Sequence, residues 1–196
     1  LIYAMIRRGE TDENDMFDLH RAVMPQSPVD ALNPVGGWKR DYNGATGVID
    51  EKSVYVEYAA PAMVPALMTR WLKDFNGMEP CTGRPGRAMA AYVRSHMIFV
   101  RIHPFFDGNG RVARLIANLP VLSGGFPPVV VPEERRAEYI SLLWDYQIAA
   151  GPIKRGSQLL PPHPAIRAME HLLEADWTRT VSLVEEARQR EVARQE

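Results

Sequence analysis

Residues 103–114 read HPFFDGNGRVAR and bring a histidine, a carboxylate, a Gly-Asn-Gly turn and two arginines into one short segment between apolar stretches. Pro104 disfavours the helical conformation for the residue before it, so a helix that approaches this segment must end at about Ile102. His103 would then stand at the carboxyl end of that helix, with its imidazole aimed outward. An unperturbed imidazole titrates near pH ~6.5 and can therefore act as a general base near neutral pH.

The residues after this histidine have the properties of an anion site. Positions 107–110 (Asp-Gly-Asn-Gly) tolerate left-handed backbone and can turn successive amides into one concavity at the start of the next helix. Arg111 and Arg114 add two charged groups on that side. A carboxylate beside a polyanion needs a bridging cation, and Mg²⁺ is commonly held by one carboxylate plus substrate phosphates. The pattern predicts a nucleotide-phosphate site with a histidine base; the alternative is a glycine-rich turn capped by Asp107, with two solvated arginines.

Apolar residues at helical spacing predict the elements that must position this segment. Residues 87–101 are apolar nearly all round, which is typical of a helix at the centre of a domain. His20 and His96 fall on apolar helix faces and are interpreted as core residues. Further helices are predicted over residues 12–24, 62–75, 110–122 and 132–149, with one or two charged amphipathic helices from about 165 onward.

One strand signal interrupts the helices. Residues 48–61 (VIDEKSVYVEYAAP) carry β-branched and aromatic side chains around a polar DEK, which predicts a small hairpin. The preceding residues 33–47 are rich in Gly, Pro, Asn and Asp and are predicted as a loop. We expect one domain over 1–155, followed by a linker and helical extension over 156–196.

Bulk composition limits the function classes. The chain has 196 residues, of which 46% are hydrophobic and 24% charged, with a net charge of −1. This balance gives no overall attraction to nucleic acid or to an anionic membrane. A single cysteine, Cys81, cannot form an internal disulfide, which is typical of a reducing compartment. We therefore expect a cytoplasmic protein with neither nucleic acid nor membrane as a partner.

The segment 103–114 resembles the Fic family signature HPFx(D/E)GNGRxxR at every defined position. Similarity continues upstream in DLHRAVM, in the GGWKR loop and in YVEYAAPAMVPALM, so it covers about residues 10–150. The resemblance implies an all-α Fic fold, a helical bundle with a small β-hairpin flap. It also implies a protein adenylyltransferase, which transfers the AMP moiety of ATP to a hydroxyl side chain (Ser, Thr or Tyr) of a target protein.

The resemblance also implies a role for each matching residue. His103 would be the general base that takes the proton of the target hydroxyl, and Asp107 would hold Mg²⁺ between the α- and β-phosphates. Arg111 would neutralise the leaving pyrophosphate and Arg114 would bind the γ-phosphate. The remaining phosphate contacts would come from the loop residues Gly108, Asn109 and Gly110.

Two further groups are candidates for the site. Asn118 lies four residues after Arg114 on the predicted helix and would share its nucleotide side; alternatively it satisfies backbone groups freed by Pro120. The hairpin residues Tyr55, Val56 and Tyr58 would form a flap that pairs with an extended target segment, or a mere cover over the nucleotide.

Control of the activity is a separate prediction. Family members are often inhibited by a helix that carries (S/T)xxxE(G/N), whose glutamate pairs with the last arginine of the motif. SLVEEA places Ser182 and Glu186 at this spacing, with Ala187 in the last position, so Glu186 would contact Arg114. The alternatives are an ordinary charged helix face here, and an inhibitory segment elsewhere or on an antitoxin-like partner. Two other function classes remain open: a Doc-like protein kinase, which typically departs from the motif near Gly110, and a non-catalytic helical binding module.

Overall fold

The computed structural model describes residues 1–24, 34–49 and 51–194. The helices in this part of the chain are α1 (Ile2–Arg8), α2 (Glu13–Val23), α3 (Val64–Asn76), α4 (Pro85–Ile102), α5 (Asn109–Ile116), α6 (Asn118–Ser123), α7 (Arg136–Ala150) and α8 (Pro164–Val192). Two strands, β1 (Gly44–Ile49) and β2 (Lys52–Glu57), pair as an antiparallel hairpin. The predicted all-α fold with a small hairpin is confirmed.

Helix α4 is the central element, as its apolar sequence predicts. It packs against α3, α5, α6 and α8, and most of its side chains are buried. One hydrophobic cluster lies on the side of α2 and α3 and includes Trp71, Phe99 and Phe105. A second cluster lies on the side of α7 and α8 and includes Tyr92 and Trp177. Because α4 is held on both sides, its carboxyl end at Ile102 is a fixed point for the segment that follows.

Two local predictions are wrong. The predicted helix over 110–122 is divided at Ala117 into α5 and α6, because Pro120 has no N–H to bond the carbonyl of Ile116. The predicted loop over 33–47 contains β1, which begins at Gly44. A Cβ at Gly44 would lie 2.5 Å from the carbonyl oxygen of Val56 on β2, so this glycine allows the two strands to approach.

The tail forms one long helix, and its first half belongs to the core. Met169, Leu172, Leu173 and Trp177 of α8 are buried in the second cluster. The Trp177 indole N–H also donates to the Pro127 carbonyl at 2.9 Å. The second half of α8 is exposed. The boundary between residues 155 and 156 stays a prediction.

Among the described residues, no helix combines the length and apolar character needed to cross a membrane.

Replacement of Trp177 by Ala tests whether α8 is integral to the domain. The change removes a buried indole and its hydrogen bond, so we expect a loss of about 3–5 kcal/mol in the free energy of unfolding, measured by urea denaturation. Leu183→Ala is the matched control on the same helix, because Leu183 is 58% exposed; it should change stability by no more than about 0.5 kcal/mol. Equal effects of the two changes would show that α8 does not contribute to the core.

Candidate active site

His103 stands at the carboxyl end of α4, where the sequence predicts it. Its backbone takes the left-handed conformation (φ 54°, ψ 59°), which is uncommon for a residue other than glycine. Pro104 excludes continuation of the helix, and the His103 N–H still closes the last turn on the Phe99 carbonyl at 2.9 Å. The conformation turns the chain sharply and directs the imidazole into a cleft.

The imidazole has a defined tautomer. Nδ1 lies 3.0 Å from the carbonyl oxygen of Val100. A carbonyl can only accept, so Nδ1 carries the proton and donates it to this bond. The lone pair is therefore on Nε2, which is the atom available as a base.

The Tyr58 ring covers one face of this imidazole. The two rings are parallel (2°) and their centroids are 3.7 Å apart. Burial lowers the pKa of His103 to about 4, with a contribution from the positive charge of Lys39; the bond to Val100 and the charge of Asp107 act in the opposite direction. The imidazole is therefore neutral across the physiological range.

The loop between His103 and α5 is held by the side chain of Asn109, which is buried. Asn109 Oδ1 accepts from the Phe105 N–H at 2.9 Å, and Nδ2 donates to the Phe105 carbonyl at 2.7 Å. The Asn109 amide thus holds the loop closed, and its contact with a phosphate stays a prediction. The Phe105 ring is fully buried and anchors the loop in the core.

Gly108 begins α5 in the left-handed conformation (φ 78°). A Cβ here would lie 2.8 Å from the Met24 sulfur, so both the conformation and the space require glycine. The N-terminus of α5 after it presents backbone N–H groups without helical partners, which favour an anion. Gly110 lines the cleft beside His103.

His20 supports the same loop from α2. Its ring stacks on Phe105 (3.9 Å, 7°), its Nε2 donates to the Asp107 carbonyl at 3.1 Å, and its Nδ1 accepts from the Gly36 N–H at 2.9 Å. The interpretation of His20 as a core residue is therefore correct but incomplete. The sequence gives no signal for these contacts, since their partners lie 16 and 87 positions away.

Asp107 and Arg111 form the exposed side of the loop. The Asp107 side chain is 73% exposed; its Oδ1 accepts from the Gly108 N–H at 2.6 Å and its Oδ2 lies 3.3 Å from Arg111 Nη2. Arg111 Nη1 donates to the Val23 carbonyl at 2.7 Å, which ties this guanidinium to the end of α2. Asp107 is thus a solvent-accessible carboxylate with coordination positions to spare.

Arg114 lies on the other side of the cleft and contacts Tyr139 of α7. Burial raises the pKa of Tyr139, and the neighbouring Arg114 opposes this rise. The Tyr139 hydroxyl is 2.7 Å from Nε2 of His96, whose pKa is lowered to about 3 by burial. The Tyr139 hydroxyl and the His96 imidazole are hydrogen-bonded to each other in the core. The buried histidine thus fixes Tyr139, and Tyr139 supports Arg114.

The cleft itself has a volume of about 610 Å³, within the range of small-molecule sites. Its walls come from the histidine segment, from α5 and from α7. The residues that the sequence identifies and that line it are His103, Gly110, Arg114 and Tyr58.

A smaller cavity of about 130 Å³ adjoins this cleft, and Tyr58, Val100 and Leu143 line both. Arg101 and Gln147 also line the smaller cavity, and both are at least 95% buried. Arg101 Nε and Gln147 Nε2 have no hydrogen-bond partner in the described part of the chain. Two residues that line this apolar cavity thus each carry a buried donor without a partner, and the sequence predicts neither of them.

The predicted flap residues have different surroundings. Tyr55 is 59% exposed, Val56 is half-buried, and Tyr58 lies on His103. In the described residues no third strand pairs with the hairpin, so its outer edges are open. Target docking by Tyr55 and Val56 stays a prediction, whereas Tyr58 belongs to the cleft.

Asn118 faces the same side as Arg111 and Arg114, as helical spacing predicts. Its amide, however, is fully used: Nδ2 donates to the carbonyls of Arg114 and Val129, and Oδ1 accepts from the Val129 N–H. Asn118 thus joins the segment at Val129 to the helix and has no donor left for a nucleotide. The structure therefore favours the alternative role, in which the Asn118 side chain binds backbone groups. These groups belong to Arg114 and Val129, and not to Ile116, whose carbonyl Pro120 cannot bond.

Glu186 and Ser182 lie on the exposed half of α8. The ion pair of Glu186 in the described structure is with Arg190 on the same helix, at 3.5 Å. The predicted contact between Glu186 and Arg114 is not formed, because the buried first half of α8 fixes the path of the helix along α4 and α7.

Removal of the Tyr58 ring tests the cause of the lowered His103 pKa. In Tyr58→Ala water reaches the imidazole, and we expect the pKa to rise from about 4 toward ~6.5. The measurement is an NMR titration of the imidazole resonance, assigned by its loss in His103→Asn. Tyr55→Ala, a change of the same side chain at an exposed position, should leave the titration unchanged. Identical titrations for the parent and Tyr58→Ala would contradict the proposed cause.

Known proteins resemble this chain in sequence and in fold. The sequence model of the Fic/DOC family matches residues 10–121, more than half of the chain. Protein adenylyltransferase fic-1 of Caenorhabditis briggsae is 36% identical over 143 residues, which are 68% of this chain and 24% of that protein. Protein adenylyltransferase Fic of Drosophila erecta is 30% identical over 143 residues, with 71% and 26% covered. The chain thus spans about a quarter of the length of these curated relatives.

The solved structures agree on the fold. A Fic domain-containing signalling protein of Bacteroides thetaiotaomicron superposes with a TM-score of 0.73 at 24% identity, over 93% of this chain and 65% of that one. Fic-1 of Caenorhabditis elegans gives a TM-score of 0.62 at 23% identity, over 95% and 50%. With the family sequence model, the curated relatives and the fold in agreement, this chain belongs to the Fic/DOC family.

Proposed function

We propose that this chain is a protein adenylyltransferase that transfers AMP from ATP to a hydroxyl side chain of a target protein. The observation that carries the proposal is the His103 imidazole, neutral and with Nε2 free, in a cleft that the N-terminus of α5 and Arg114 also line. A base and an anion site in one cleft suit attack of a hydroxyl on a phosphate. The names of the relatives support adenylyl transfer as the reaction.

The chemical step follows from the position of the base. His103 Nε2 takes the proton of the target hydroxyl while the hydroxyl oxygen forms a bond to the α-phosphorus. The bond between the α-phosphorus and the oxygen that leads to the β-phosphate breaks, and pyrophosphate leaves. Backbone N–H groups at the start of α5 would stabilise the charge on the phosphates, and Arg111 would neutralise pyrophosphate. Arg114, supported by Tyr139, would hold the γ-phosphate.

The residues present also fit a magnesium ion. In the described part of the chain no group of three or more His, Cys, Asp or Glu side chains could hold a metal alone. Asp107 offers one exposed carboxylate beside the anion site, which matches the way Mg²⁺ is held by one carboxylate and phosphate oxygens. When bound, the ion would neutralise phosphate charge. Asp107 would supply its protein ligand.

The adjoining cavity of about 130 Å³ is the proposed place of the nucleobase. Its apolar walls suit an aromatic ring, and two of the residues that line it, Arg101 and Gln147, each carry a donor nitrogen without a partner, which a purine nitrogen could accept from after a small side-chain adjustment. If the nucleobase lies in this cavity and the phosphates lie at the start of α5, the phosphate next to the ribose is the one beside His103. That phosphate is the α-phosphate, which favours adenylyl transfer over transfer of the γ-phosphate.

The hairpin is the proposed docking element for the target. The open strand edges can pair with an extended segment, and Tyr55 offers an exposed ring for contact. Tyr58 connects this surface to the base, because it follows β2 directly and stacks on His103. The partner is thus a protein with a Ser, Thr or Tyr hydroxyl in an extended segment.

Transfer of label from ATP tests the proposal. The parent chain is incubated with cell lysate and Mg²⁺, with ATP labelled on either the α- or the γ-phosphate. We expect protein to acquire the α-label alone, and His103→Ala to lower the rate ~10²- to 10⁴-fold while ATP still binds. His171→Ala, which removes an exposed histidine on α8, should retain the parent rate.

Two results would contradict the proposal. Transfer of the γ-label with the α-label left in solution would identify a kinase of the Doc type. Transfer of neither label, with no ATP binding by the parent chain, would identify a non-catalytic binding module.

A further inference from the structure

The segment of residues 39–43 holds the loop after His103 from outside. The Lys39 backbone N–H donates to the Pro104 carbonyl at 2.9 Å. The Asn43 side-chain nitrogen Nδ2 donates to the Phe105 carbonyl at 2.9 Å and to the Phe106 carbonyl at 3.0 Å. Three consecutive carbonyls of the loop between the base and Asp107 are therefore bound by this one segment.

The Lys39 side chain is buried beneath this contact. It is 3% exposed, and its Nζ donates to Asn43 Oδ1 at 2.5 Å. Burial lowers its pKa to about 8, while Glu57 on β2 acts in the opposite direction. At neutral pH the group is therefore a buried cation that donates a hydrogen bond to the Asn43 amide. Such a group is costly to bury and calls for a role beyond packing.

The ammonium determines which way the Asn43 amide points. An amide has an acceptor oxygen on one side and a donor nitrogen on the other. Lys39 can only donate, and the two loop carbonyls can only accept, so one orientation satisfies all of them. Without the ammonium Oδ1 loses its donor, so the Asn43 amide is anchored on one side alone and can shift away from the two loop carbonyls.

We propose that Lys39 is a positioning residue, whose ammonium locks the Asn43 amide in the orientation that binds the loop between His103 and Asp107. The role rests on the proposed function insofar as the loop serves transfer of AMP. Lys39 does not line the cleft, so it acts through Asn43 and not on the nucleotide. Its contribution is to keep the base and the carboxylate at a fixed separation.

The experiment is a double-mutant cycle with Lys39→Met, Asn43→Leu and the combined variant. We expect each single change to lower kcat for AMP transfer about 10- to 100-fold, because small displacements of catalytic groups carry penalties of this order. The dissociation constant for ATP should change less than threefold, because the phosphate-binding arginines and α5 remain. The combined variant should be no slower than the slower single variant, since both act through one contact. Lys73→Met, which removes an exposed lysine on α3, should match the parent.

A second measurement does not depend on activity. The side-chain NH₂ resonances of Asn43, assigned by their loss in Asn43→Leu, should exchange slowly with solvent in the parent and at least tenfold faster in Lys39→Met. Lys39→Arg, which keeps a charged donor, should recover slow exchange. If the parent transfers no AMP but these exchange rates behave as expected, the proposed function is wrong, whereas the proposed effect of Lys39 on the Asn43 amide is correct.

Three results would overturn the inference. Multiplicative losses of kcat in the combined variant would show that Lys39 and Asn43 act separately. A Lys39→Met variant with lower stability but the parent's kcat per folded molecule would make Lys39 purely structural. Equal exchange of the Asn43 amide in the parent and Lys39→Met would show that the ammonium does not lock it.

Discussion

The pair of hydrogen bonds between the Asn109 side chain and the Phe105 backbone is the interaction on which the site depends. It closes the loop that joins α4 to α5, at 2.9 and 2.7 Å, and the buried Phe105 ring fixes that closed loop to the core. Because α4 is packed on both sides, the closed loop sets the position of α5 relative to His103. The base, the exposed carboxylate of Asp107 and the N-terminus of α5 thereby become one rigid unit, supported by His20 on one side and by the segment 39–43 on the other.

The surroundings of His103 reconcile two requirements. A base needs an unprotonated nitrogen at neutral pH, and a site for ATP needs positive charge nearby. The Tyr58 ring and the burial of His103 disfavour the imidazolium, and Val100 fixes the proton on Nδ1, so Nε2 carries a free lone pair. A lowered pKa also makes Nε2 a weaker base, which suits a proton transfer that occurs together with attack on an electrophilic phosphorus. Tyr58, whose ring shields His103, directly follows strand β2 of the hairpin. A target bound at the hairpin would therefore lie close to Nε2 of His103.

The features that the sequence predicts correctly are those with local causes. Pro104 alone is enough to end α4 at Ile102, and the apolar character of residues 87–101 is enough to place that helix at the centre. The missed features depend on residues far apart in the chain. Gly44 resembles a loop residue, although the glycine is there because the Val56 carbonyl lies close to it across the hairpin. Other missed features also leave no periodic signal in a single sequence. They are the stacking of Tyr58 on His103, the hydrogen bond from Lys39 to Asn43, and the buried donors of Arg101 and Gln147. For Asn118 and Glu186, helical spacing gives the side of the helix on which each residue lies but not the partners that the structure shows there.

Transfer of AMP requires that the α-phosphate, and not the γ-phosphate, lies beside the His103 imidazole. A crystal structure of the chain with Mg²⁺ and a non-hydrolysable ATP analogue measures this directly, through the distances from His103 Nε2 to the three phosphorus atoms. We expect the α-phosphorus to be the nearest of the three, with the γ-phosphate on Arg114 and the nucleobase beside Gln147. A γ-phosphorus nearest to Nε2, with the nucleotide reversed in the cleft, would contradict this expectation.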